Sequence, residues 1–359
     1  MRPAASFTIF ALSLAACAPA AAPVVASPTR TPPPSATVPS VGTTSPIPTT
    51  IVPVLWQDLG LSGRLVFVEG AQRITDLDLV SGALRILFEA PLGGWVTSAS
   101  LSPDGQSIAI AYSEPPPPGE MASYTGIYLL PADGSSGPTP LLLPPGPDEA
   151  YFGPAFAPDG ATLYLVHLQR IDDPLQAFRQ TLVRVRLADE RVEPLVDDAF
   201  WPSVSPDGLR LAYVTIDPDD FTNTLFLAAP DGEAARPAVE PGFLPYLDSP
   251  VFSRDSTWLY FSAVGRGGIA QANGFDRLLG VVPAEAHSLP SEWWRVPAQG
   301  GPPERLTDLG QSGLFGAFSP DGRHFAFLSS SGLFTMDSNG SNVTALLNVW
   351  ASGSLEWTP

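Results

Sequence analysis

Five aspartates recur at the same place in a repeating phrase. Asp104, Asp159, Asp207, Asp255 and Asp321 each stand third in "SPDG", "APDG", "SPDG", "SRDS" and "SPDG". Carboxylates gathered from five repeats onto one rim would suit acid–base chemistry or a hard cation. The phrase also has a plainer physical reading. Proline presets φ, the Asp side chain bonds the local backbone and glycine supplies a positive φ, so each aspartate is expected to brace its own turn. His167, His287 and His324 fall in different repeats and loops without the short spacing of a zinc site, so no metal is expected. "DPDDFTN" (217–223) has the acidic density of a calcium loop but lacks its glycine and closing glutamate, and reads as a solvated loop. There is no G-x-S-x-G nucleophile elbow, and no cofactor motif or cofactor is expected.

A second pattern is aromatic. Trp95, Tyr151, Phe152, Phe200, Trp201, Tyr246 and Phe315 all stand shortly before a copy of the phrase. With Asp248, they are the candidate ligand- or partner-binding residues. Rings placed there could stack on or bury a ligand, or could fill gaps between packed elements.

The elements that must position these residues follow from the repeat. Six residues after the first position of each copy stand Ile108, Leu163, Leu211, Leu259 and Phe325, and eight after it stand Ile110, Leu165, Tyr213, Phe261 and Phe327. The intervening Ala109, Tyr164, Ala212, Tyr260 and Ala326 are also largely apolar, which marks a strand sandwiched between two layers. Just before each copy come Leu101, Phe156, Val204, Phe252 and Phe318, so each copy is a hairpin. A third strand follows, as in "GIYLLPADG" (126–134) and "TLFLAAPDG" (224–232), and then a fourth, as in "RVEPLV" (191–196). Four antiparallel strands per repeat is the grammar of a propeller blade. Residues 63–89 supply three strands with no opening strand, while "SGSLEWTP" (352–359) is an opening strand with nothing after it. The expected fold is therefore all-β: a six-bladed β-propeller with four-stranded antiparallel blades, closed by the C-terminal strand joining the first blade. The segments preceding each opening strand would then ring the channel mouth, beside long links such as 114–124, 169–180 and 265–291. Variable loops on a rigid scaffold are where binding usually resides.

This grammar, clearest in "GRHFAFLSSSGLFTMDSNG" (322–340), resembles the TolB-like repeat family, whose six-bladed propellers occur in bacterial envelope proteins. The resemblance covers roughly residues 55–359. The copy at 253 departs from it, with Arg254 and Ser256 in place of Pro and Gly. TolB itself carries an additional N-terminal α/β domain that this chain replaces with a proline-rich stretch, so TolB's specific role does not transfer. Related propellers include metal-dependent lyases that use several histidines and peptidases with a further hydrolase domain. The three unmatched histidines here and the chain's end after the propeller speak against both.

The N-terminus reads Met1-Arg2, the apolar run "SFTIFALSLAA", then Cys17, the sole cysteine. That run is too short to span a bilayer as a mature helix. Leu14-Ala15-Ala16-Cys17 resembles a bacterial lipobox, which implies a lipoprotein signal peptide at 1–16 and a diacylglycerol on Cys17. Residues 17–54 form the lipidated end and a Pro/Ser/Thr-rich tether, which at about 3.1 Å per residue could reach on the order of 115 Å. The expected location is extracytoplasmic, at the cell surface or in the periplasm, held by the lipid alone. With 36 acidic residues, 18 basic residues (all Arg) and a net charge of −18, the chain lacks the basic footprint nucleic acid requires. The sequence thus points to a monomeric, non-catalytic binding or scaffold module for an envelope protein or polymer. The competing class is a hydrolase or lyase using carboxylates such as Asp248 in the channel mouth.

Overall fold

The computed structural model describes residues 49–119, 124–171, 178–217, 222–244, 246–264 and 289–359. Cys17, the residues before Thr49 that were read as a tether, and His287 lie outside them.

Six antiparallel sheets each present one innermost strand. In blades 2 to 6 that strand is Trp95–Leu101, Glu149–Phe156, Ala199–Val204, Leu247–Phe252 and Phe315–Phe318. The second strands are Ser107–Ser113, Thr162–Arg170, Leu211–Ile216, Trp258–Ala263 and His324–Ser329. They are buried on both faces: Ile108, Ala109 and Ile110 have no exposed surface. The core accordingly divides into six apolar seams, one per blade interface. Blades 3 and 4, for instance, join through Tyr164, Leu182, Leu211 and Tyr213. Each seam buries apolar area from two sheets, the dominant favourable term in folding.

Blade 1 takes its innermost strand from the far end of the chain. Ala351–Thr358 pairs with Arg64–Glu69, with Trp357 opposite Leu65 and Leu355 opposite Phe67. Trp357 is 3% exposed, and its indole Nε1 donates to the Ser62 carbonyl at 2.9 Å. Gly353, at φ 90°, lets this strand lie against blade 2, because a Cβ there would sit 1.8 Å from the Thr97 carbonyl oxygen.

Residues Thr49–Ile51, read above as the end of the tether, form a fifth strand on blade 1, pairing Thr49 with Arg85 and Ile51 with Ala83. Just beyond, Trp56 is buried and its Nε1 donates to the Leu79 carbonyl at 2.8 Å. The β-branched run "TTIV" has strand propensity of its own, and pairing it covers what would be an exposed sheet edge.

Candidate binding site in the central channel

The repeated turns behave as their chemistry requires. Asp104 accepts from the Ser102 hydroxyl at 2.6 Å and from Gln106 N at 3.0 Å. Asp255 and Asp321 accept from Ser253 and Ser319, both at 2.6 Å. The serine hydroxyls hold the Asp104, Asp255 and Asp321 carboxyls below the usual carboxylate range. These aspartates brace turns, and among the described residues no cluster of His, Cys, Asp or Glu has metal-binding geometry.

The six innermost strands enclose a channel cavity of about 420 Å³. Each of these strands leaves one edge unpaired toward the axis, and the sequence manages that edge in two ways. Gly153, Trp201 and Ser249 adopt positive φ (60°, 48° and 49°), and each precedes a proline. The ladder slips there, between Phe200 and Ser203 in blade 4 and between Asp248 and Val251 in blade 5. Such bulges bend the strand, and the proline removes an N–H that would otherwise point into the channel. Elsewhere serine hydroxyls stitch neighbouring blades together. Ala99 N donates to Ser354 Oγ at 2.8 Å, Gly153 N to Ser98 Oγ at 3.1 Å and Phe156 N to Ser100 Oγ at 3.1 Å.

Among the described residues, the wall is mostly apolar and hydroxylic, with one acid and one base, Glu356 and Arg254. Both mark departures from the repeat. Pro103, Pro158 and Pro206 hold the second turn position in other blades, where the wall takes Arg254 in blade 5. The Arg254 guanidinium donates to Trp357 O at 2.9 Å, Phe318 O at 3.1 Å and Ser319 O at 3.4 Å, tying blade 5 to blade 6 and to the closing strand. Glu356 stands where the other innermost strands carry Ser100, Ala155, Ser203, Val251 and Ala317. Burial pushes its carboxyl up to about 7, with hydrogen bonds from Leu101 and Ser100 and the charge of Arg254 only partly opposing the shift. The sequence contained a signal for both residues, in the single Pro-to-Arg exchange and the single acid in an otherwise small or apolar column.

The aromatic candidates divide. Trp201 and Phe315 line the cavity. Trp201 also packs against the seam of blades 4 and 5, with its ring centroid 5.5 Å from that of Phe200. A bulky side chain at φ 48° is a backbone outlier, of a kind that recurs at functional sites. Trp95, Tyr151, Phe152, Phe200, Tyr246 and Asp248 lie off the cavity wall. Tyr151 is buried and stacks on His167 at 4.7 Å, and His167 Nε2 lies 2.6 Å from Glu149. Phe152 packs into the seam of blades 2 and 3. Trp95 and Tyr246 are half-buried at the start of their blades, and Asp248 is fully buried opposite Ser262. His324 belongs to blade 6, with Nδ1 3.6 Å from Asp337, well separated in the ring from the His167 pair on blade 3.

With this geometry in hand, comparison with known proteins supports the fold. A TolB structure from Agrobacterium tumefaciens superposes with a TM-score of 0.57 at 16% identity, covering 83% of this chain and 98% of that one. TolB from Acinetobacter baumannii gives 0.56 at 15% identity, over 83% of this chain and 67% of the other. A puromycin hydrolase gives 0.53 at 15% identity, over 83% of this chain and 48% of the hydrolase. In sequence, dipeptidyl-peptidase 5 of Emericella nidulans is 32% identical over 124 residues, which is 33% of this chain and 16% of that relative's length. No family model matches the chain. The chain therefore has the six-bladed fold seen in TolB.

Proposed function

We propose that this protein is a lipid-anchored, extracytoplasmic propeller that binds an envelope protein or polymer on its loop-rich face, at the channel mouth. The observation that carries the reading is the channel cavity, whose wall includes Trp201, held in a left-handed conformation, and Phe315, within a ring of six innermost strands. An apolar pocket with a few convergent polar groups is the usual form of a binding site. The likeness to TolB structures supports a binding or scaffold role, and the Leu-Ala-Ala-Cys17 end of the apolar N-terminal run supports the anchor.

Trp201→Ala and Phe315→Ala test it. Each variant's unfolding free energy is compared with the yield of partner captured from source membranes by the folded fraction. Lost capture at retained stability supports binding. Stability losses of about 3–5 kcal/mol with unchanged capture would make the rings interblade filler.

One observation favours a second reading, an envelope hydrolase or lyase. A carboxyl held near 7 inside a cavity is suited to general acid–base catalysis, and Glu356, rather than Asp248, occupies that place. Turnover of envelope glycans or peptides that Glu356→Gln abolishes would establish it.

A further inference from the structure

The loop-rich face carries an anchor that no repeat rule foretold. Trp350 and Leu92 are 71% and 95% exposed, two large apolar side chains left in water on neighbouring loops. Trp350 stands in the link from blade 6 to the closing strand, and Leu92 in the link from blade 1 to blade 2. Both links are tied to the short turn at 69–72 between them. Gly70 N donates to Trp350 O at 2.9 Å, Ala90 N to Gln72 O at 2.8 Å and Val96 N to Ala71 O at 2.9 Å. The Trp350 ring lies 3.7–3.8 Å from where a Cβ on Gly70 would stand. Pro115 and Pro116 of blade 2 border the Leu92 turn, with ring carbons 3.8 and 3.7 Å from the corresponding point on Gly93. Two exposed anchors are thus held on interlocked loops, and little conformational entropy remains to be lost on binding.

The surroundings are acidic. Glu69 and Glu89 both pair with Arg73, at 3.8 and 2.8 Å, and Glu114 is exposed beside the prolines. Against a chain of net charge −18, this selects a positively charged occupant. A second copy would bring the same acidic rim, and an anionic lipid surface would be repelled. We propose that the rim of blades 1 and 2 is a protein-docking surface, with Trp350 and Leu92 seated in apolar pockets of a basic partner. This rests on the binding reading above and moves its main contact from the channel to the rim.

The test places the photo-crosslinker benzoylphenylalanine at position 92, 350, 315 or 209 in the full chain in its own membrane. Leu209, on the opposite turn face and also exposed, is the control. The expected result is one and the same protein joined from positions 92 and 350 but not from 209, through a Lys/Arg-rich segment. The adduct at 92 should fall about tenfold on Trp350→Ser and fall again as salt rises from about 0.05 to 0.5 M. Adducts from position 315 alone overturn the rim proposal and leave the channel reading standing. Adducts only with lipid or a second copy overturn the proposal as stated. No protein adduct from 92, 350 or 315 overturns both readings.

Discussion

Replacing Trp357 by Ala should destabilise the whole ring rather than fray one terminus. The indole is 3% exposed among Trp56, Leu65, Phe67 and Leu355 in the seam of blades 6 and 1. A buried indole removes about 200 Å² from water, worth about 5 kcal/mol at roughly 25 cal/mol/Å². Measured truncations of buried aromatics, at about 3–5 kcal/mol, agree with that figure. Losing the 2.9 Å hydrogen bond to the Ser62 carbonyl adds about 1 kcal/mol. A total near 6 kcal/mol corresponds to about 12 °C, taking roughly 2 °C per kcal/mol for a domain of this size. The assay is urea and thermal unfolding followed by both tryptophan fluorescence and far-UV circular dichroism, whose coincidence checks for a single transition. Val343→Ala, on an exposed turn in the same quarter of the chain, should stay within about 0.5 kcal/mol. A loss below about 1 kcal/mol, or a first transition that leaves the other blades at the wild-type midpoint, would refute closure through this strand.

Four further outcomes are expected. Glu356, with its folded-state value raised to about 7, favours the protonated folded form, so its contribution is present below the unfolded carboxyl range and lost as pH rises through 7. Allowing for its partial contact with the cavity, Glu356→Gln should gain about 2 kcal/mol over wild type at pH 8 and little at pH 4, and a pH-independent difference in urea midpoints would contradict this. The braced turn aspartates act with the opposite sign: the lowered value of Asp321 makes its contribution disappear as pH falls below the ordinary carboxylate range, so Asp321→Asn should flatten the acid limb of the unfolding curve. Arg254→Pro, which restores the repeat pattern, should cost about 2 kcal/mol by stripping donors from Phe318 O and Trp357 O, and a neutral result would show that these bonds contribute nothing. Cys17→Ser should release the protein from membranes or leave its precursor uncleaved, and a mature N-terminus elsewhere, without diacylglycerol, would exclude the anchor.

Blade number, strand order and ring closure were legible because they depend on local rules repeated five times. The turn phrase, the two-faced apolar strand and an opening strand left over at Trp357 each require no knowledge of neighbours. The aspartates were legible for the same reason, since each bonds a hydroxyl within its own turn, two residues away at Asp104, Asp207, Asp255 and Asp321 and three away at Asp159. The site was only partly legible. Sequence position alone placed Tyr151 and Trp201 alike before a repeat, yet Tyr151 packs on His167 and Trp201 reaches the cavity. The difference arises at the bulge, where Trp201 takes a positive φ at the glycine position of the neighbouring blade and stands at the cavity wall. What only the tertiary structure decided is the meeting of residues far apart in the chain: Arg254 with the Trp357 carbonyl, Glu356 with Ser100, Trp350 with Gly70. Periodicity fixes which face of a strand turns inward. It carries no information on how much water remains around an acid, or on which loops interlock, because both depend on blades brought together by closure of the ring.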